Sequence, residues 1–154
     1  MEKAGYIQKM EKEIRNQNKA KEIKFKEQRF FPFLGMFKLY FPVDENSIFV
    51  FEDTIYTNTK PEDLPYDLIA HEKRHMEQQQ KIGAKLWIEK YLEDVEFRFK
   101  QEIDAYRTQL KAVRKTKDRE EYAHILVECA NNLSSGLYSE GVSYQAAMKI
   151  LAKV

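Results

Sequence analysis

The sequence predicts an α+β domain, a small antiparallel sheet or hairpin packed on a mainly helical body. Three observations lead there. Between Phe30 and Asn58 aromatic and β-branched residues dominate, with Pro32, Gly35 and Pro42 as punctuation, a texture that suits short strands. From Ala84 to about Lys115 apolar residues return at intervals of three and four, the spacing that lines one face of a helix. The length, 154 residues, is one domain's worth of chain.

Residues 1–27 are rich in Lys, Glu and Gln, and their apolar positions (Tyr6, Ile7, Met10, Ile14, Ile23) are sparse. They read as a charged N-terminal helix with a thin apolar stripe that docks weakly or meets a partner. The body is then 28–154. Phe37 to Phe41 and Ile48 to Thr57 read as the two strands of a hairpin, with Val43-Asp44-Glu45-Asn46 turning between them. In the second strand Ile48, Val50, Glu52, Thr54 and Tyr56 share one side; Phe49, Phe51, Asp53 and Ile55 share the other. A loop with Pro61 and Pro65 leads into a helix that Asp63 or Asp67 can start and Gly83 stops. One long helix follows from Ala84 to about Lys115, a third covers Arg119 to about Leu133, and Ser134-Ser135-Gly136 breaks it. The last runs from Ser143 to Ala152.

Composition narrows the function classes. Lysine plus arginine, 26, nearly cancels aspartate plus glutamate, 25, so the basic excess of a nucleic-acid binder is missing. Cys129 is alone, which rules out an intrachain disulfide and a thiolate metal site. The opening MEKAGYIQKMEKEIRNQ lacks the apolar core of a secretory signal, and no apolar run approaches the roughly 20 residues of a membrane span. A cytoplasmic protein without membrane attachment is expected.

The motif that carries chemistry is His71-Glu72-Lys73-Arg74-His75, an H-E-x-x-H pattern on a predicted helix. Residues four apart stand one above the other, so both imidazoles can reach one metal ion. Glu72 lies beside that face, in reach of a water on the ion. A catalytic zinc needs a third protein ligand and an open fourth position. No third histidine lies close downstream, so a carboxylate among Glu89, Glu93, Asp94, Glu96, Glu102 and Asp104 is the natural third. The apolar face favours Glu102, flanked by Arg98 and Tyr106. Two antiparallel helices joined at Gly83 would instead favour Glu89 or Glu93. The residues alone leave that choice open.

HEKRHMEQQ followed by a helix bearing QEIDAY resembles the gluzincin branch of the zincin metallopeptidases, over about residues 46–110. The resemblance implies a zincin-like fold, Zn2+ as cofactor, and Glu102 as third ligand beside His71 and His75, because Glu102-Ile103-Asp104-Ala105 matches the family's Glu, two residues, then Ala. It implies that SIFVFEDTIY is an edge strand pairing with an extended peptide or protein substrate. Gln78, Trp87 and Tyr91 are also similar to small members. Departures are Lys73 and Arg74, where relatives carry apolar or small residues, and Tyr106, where several place Asp or Asn.

The expected activity is zinc-dependent peptide-bond hydrolysis, with Glu72 as general base. An oxyanion also needs a donor, and Tyr138 and His124 are the candidates in the last third of the chain. Two rivals stand beside this reading. One is a catalytically inactive binding protein of the same fold, in which zinc is a structural staple and a residue such as Asp104 fills the fourth position. The other is a helical adaptor with no metal.

Overall fold

The computed structural model describes residues 22–136 and 142–153. Among them the protein is mixed α+β and mostly helical. Strands are β1 (Lys24–Lys26), β2 (Phe49–Phe51) and β3 (Thr54–Tyr56). The α-helices are α1 (Leu34–Tyr40), α2 (Tyr66–Ile82), α3 (Ala84–Glu93), α4 (Val95–Thr116), α5 (Arg119–Leu133) and α6 (Tyr144–Ala152). The sheet order is β1-β3-β2, with β3 parallel to β1 and antiparallel to β2, so the sheet is mixed where an antiparallel one is expected. No helix among the described residues is long and apolar enough to cross a membrane.

Most of the expected N-terminal helix lies outside the described residues, but its last part is strand β1. Ile23 and Phe25 alternate with Lys24 and Lys26, and Phe25 packs with Ile23 and Ile48 against Val50, Ile55 and Met76. A period of two, not the local richness in Lys and Glu, decides this segment.

Phe37 to Phe41 forms a helix rather than a strand. Phe33, Phe37 and Phe41 recur every four residues, and all three pack in one aromatic cluster, whereas Leu39 is 84 % exposed. A strand would have sent positions 37, 39 and 41 to one side together. Helical spacing outweighs aromatic strand propensity.

The expected single strand over 48–57 is itself the hairpin. Phe51 pairs with Thr54, Val50 with Ile55 and Phe49 with Tyr56, so Glu52 and Asp53 form a two-residue turn. Glu52 sits at φ 55°, a left-handed conformation that costs a non-glycine residue roughly 1–2 kcal/mol. Gln79 offsets it: its Oε1 accepts from the Glu52 N–H (2.8 Å) while its Nε2 donates to the Val50 carbonyl (2.9 Å). Gln79 is 1 % exposed, so this one amide ties the hairpin to α2. The turn also recombines the faces expected of a single strand. Phe49 and Tyr56 enter the aromatic cluster together, and Val50 and Ile55 enter the cluster around Met76.

The α2 helix starts after Pro65, with neither Asp63 nor Asp67 as its N-cap. Asp67 lies in the first turn, where a carboxylate suits the helix dipole, and accepts from Gln109 Nε2 at 2.9 Å. Gly83 ends α2 at φ 95° and ψ 133°, a region closed to residues with a Cβ. Gly83→Ala meets no steric neighbour, so its cost is backbone strain. We expect a loss of about 1–3 kcal/mol in chemical denaturation with an unchanged slope; an unchanged midpoint would show that the turn relaxes.

The long helix expected from Ala84 is broken at Asp94, whose side chain accepts from the Phe97 N–H at 3.0 Å and caps α4. Arg98, buried at this corner, donates to the carbonyls of Tyr91 and Leu92 at the end of α3, groups a helix end leaves unsatisfied. Apolar spacing runs on across the break, which hides it from periodicity. The helices at 119–133 and 144–152 form as expected, capped by Asp118 and Ser143.

Two apolar clusters flank the centre of the molecule. One joins Phe31, Phe37, Phe49, Tyr56, Trp87, Ile88 and Leu92. The other joins α4, α5 and α6 through Tyr106, Leu110, Leu133 and Leu151.

Candidate metal centre

His71, Glu72 and His75 stand in the middle of α2, and α4 packs along the helix face they occupy. His71 and His75 are one turn apart, so both rings lie along that face, meeting edge to face with centroids 4.8 Å apart. The chain does not run straight back at Gly83. The α3 helix intervenes and turns again at Asp94, so the helix lying against α2 is α4. That brings Glu102, two turns into α4, opposite the histidines. Glu89, Glu93, Asp94 and Glu96 are exposed.

The Nε2 atoms of His75 and His71 are 3.2 Å apart. Glu102 Oε1 lies 2.5 Å from His75 Nε2 and 3.8 Å from His71 Nε2. These separations bracket the roughly 3.3 Å expected between ligand atoms of a tetrahedral zinc with bonds of about 2.0–2.1 Å. All three residues are buried, and they are the one group among the described residues able to hold a metal. Their rings sit between the two apolar clusters: His71 packs on Tyr106 and His75 on Trp87.

Hydrogen bonding shows how the cluster could accommodate a cation. Gln78 Nε2 donates to the Gln101 carbonyl (3.0 Å) and to Asp104 Oδ2 (2.9 Å). Its Oε1 is therefore the atom facing His75, and the 2.8 Å contact there is an N–H donated by Nδ1. A neutral His75 then presents a bare Nε2 to His71 Nε2 and Glu102 Oε1. Glu102 Oε1 has no hydrogen-bond partner despite its closeness to His75, because the approach lacks the alignment of a hydrogen bond. Three lone-pair atoms on one buried point are satisfied either by protons on the imidazoles or by one divalent ion. Two imidazoles and a carboxylate are an ordinary donor set for zinc.

The charges follow from the same geometry. Burial opposes the imidazolium of His75, but the Glu102 and Glu72 carboxylates and the Gln78 oxygen outweigh it and raise its pKa to about 9. Burial also opposes the Glu102 carboxylate, and the His75 and His71 imidazoles beside it outweigh that and hold its pKa low. Glu72 goes the other way. Burial raises its pKa, and the neighbouring imidazoles only partly counter this while Glu102 adds to it.

Asp104, the alternative fourth ligand, is engaged elsewhere. Arg74 Nε donates to its Oδ2 at 2.7 Å and Nη2 to its Oδ1 at 3.2 Å, a two-pronged pair that also shares Oδ2 with Gln78. Three candidate ligands thus remain, on the wall of a cleft of about 580 Å³ that Phe49, Tyr91, Tyr106 and Cys129 also line. Glu72 lines the same cleft. His124 does not line it directly: 73 % of its side chain is exposed, and it pairs at 3.0 Å with Glu128, which does line the cleft. Tyr138 lies outside the described residues.

Residue-by-residue reading missed the Arg74–Asp104 pair, which joins positions thirty apart in sequence and is invisible in one sequence. The Gln78–His75 bond was within reach, since residues three apart meet on a helix. The pair also sets a pH dependence. Burial raises the Asp104 pKa, but hydrogen bonds from Arg74 and Gln78 and the Arg74 charge outweigh it, so the folded-state pKa is lowered from 3.8. A carboxyl depressed in the folded state stabilises fully above its unfolded value and loses that contribution as pH falls through the folded one. The stability difference between wild type and Arg74→Ala should therefore be constant near neutrality and shrink below about pH 4. Denaturation midpoints across that range test it, and a difference that grows in acid would contradict it.

Comparison of the chain with protein-family models, with characterised proteins and with solved structures finds no match.

Proposed function

We propose that this protein is a zinc-dependent peptide hydrolase of zincin-like fold, with His71, His75 and Glu102 as ligands and Glu72 as general base. The observation that carries the reading is the convergence of His71 Nε2, His75 Nε2 and Glu102 Oε1 within 4.8 Å of one another on a cleft wall that also presents a buried glutamate. Zinc bound there would supply Lewis-acid polarisation of a carbonyl and a more acidic water. Glu72 takes a proton from the attacking water and returns it to the leaving amine. Its burial supports that role, because a carboxylate with a raised pKa is a better proton acceptor.

An extended peptide fits beside β2, an outer strand of the sheet among the described residues. Gln79 already occupies the Val50 carbonyl and the Glu52 N–H, which leaves the Ile48–Phe49 end, over the cleft, for backbone pairing. The aromatic wall of Phe37, Phe49, Trp87 and Tyr91 walls off the same end of the cleft.

The rival with a structural zinc needs a fourth protein ligand. Its leading candidate, Asp104, has both oxygens engaged by Arg74 and Gln78, which favours turnover. Metal analysis of the purified protein, beside cleavage of a generic peptide mixture, tests the proposal. We expect near-stoichiometric zinc and cleavage that a chelator abolishes and added zinc restores. Zinc without cleavage would favour the structural rival, and absence of any divalent ion would leave the helical adaptor.

A further inference from the structure

Resting on the metal-site reading above, we propose that Gln78, held by Asp104 and Arg74, is a positioning residue that presents Nε2 of His75 to the ion. The device is a chain of hydrogen bonds. Arg74 grips Asp104 with two nitrogens, at 2.7 and 3.2 Å. Asp104 Oδ2 and the Gln101 carbonyl accept both protons of the Gln78 amide, at 2.9 and 3.0 Å. The amide can then offer His75 only its oxygen, at 2.8 Å, and His75 must give Nδ1–H and keep Nε2 for the ion.

The pieces come from both ligand-bearing helices. Arg74, His75 and Gln78 belong to α2, while Gln101, Glu102 and Asp104 belong to α4. The clamp therefore fixes the level of Glu102 against the histidines as well as the orientation of one ring. Its members differ in exposure in a way that suits the task. Gln78 is 7 % exposed, so water cannot substitute for the amide, whereas the side chains of Arg74 and Asp104 are 33 % and 42 % exposed and can be altered with less risk to the core. His71 has no corresponding clamp: its Nδ1 has no hydrogen-bond partner, and its ring rests on Tyr106. The site is thus asymmetric, with one imidazole oriented by hydrogen bonds and the other by packing. Arg74, inside the H-E-x-x-H pattern, acquires a reason to be charged.

The test compares wild type with Gln78→Leu, Asp104→Asn and Arg74→Ala, each titrated with Co2+ and Zn2+ against a chromophoric chelator. The visible absorption of the Co2+ forms reports ligand geometry, and denaturation of the ion-free proteins reports folding. Gln78→Leu should bind both ions roughly 10–100-fold more weakly with altered Co2+ bands. Arg74→Ala should lose less, and Asp104→Asn, which still offers an oxygen to the amide, should stay within a few-fold of wild type. Should Gln78→Leu fail to fold, the graded order of Arg74→Ala below Asp104→Asn carries the test. Wild-type affinity and bands in a folded Gln78→Leu, or in Arg74→Ala when Gln78→Leu is unfolded, would overturn the positioning role while leaving the metal site standing. A wild-type protein that takes up neither ion would overturn the metal site itself.

Discussion

Glu72→Gln is expected to keep the ion and lose peptide hydrolysis by about 10²–10⁴-fold, the usual contribution of a positioned general base. Glu72 is not one of the three converging residues, and Gln has nearly the same volume, so neither metal content nor fold should suffer. The substitution even removes a buried carboxyl whose charged form burial opposes, which makes equal or greater stability the expectation. Metal analysis, a denaturation curve and the peptide assay on one preparation suffice. Unchanged turnover would remove Glu72 from the mechanism, and loss of metal would mean that its carboxylate is a ligand.

His71→Ala should do the reverse, abolishing metal retention and activity together. Zinc sites with four protein ligands bind with about 10–16 kcal/mol, so one ligand carries roughly 3–4 kcal/mol, or about 10²–10³ in affinity. The truncation also opens space beside Tyr106, whose ring lies 4.6 Å from that of His71, and leaves Glu102 with His75 alone. Dialysis against a weak chelator should strip the variant and spare wild type. A variant that holds zinc as tightly as wild type would reject His71 as a ligand.

The parts of the fold legible in sequence are those where one local signal acts alone. Gly83, Arg119 and Ser143 mark helix boundaries that the structure keeps, whereas neither Asp63 nor Asp67 caps α2. The α1 helix and the β2–β3 hairpin were misread for opposite reasons. Around Phe37 aromatic composition pointed to a strand while the four-residue recurrence pointed to a helix, and burial follows the recurrence. At Glu52-Asp53 the turn has no glycine or asparagine, and Glu is not a usual residue at a left-handed position; the turn depends on Gln79, twenty-seven positions away. The site divides in the same way. The histidine spacing is local and readable, and so is the neighbouring Glu72. Glu102 came from a family resemblance because its position depends on the corner at Asp94, which an unbroken apolar periodicity concealed.

Strand β1 bears on how this protein can be cut. Lys24–Lys26 runs beside β3, whose three residues Thr54, Ile55 and Tyr56 are all buried. A truncation that begins at residue 28 would strip one flank of β3 bare and invite association through the uncovered backbone. Shortened forms meant for crystals or assays therefore need to retain Lys24–Lys26.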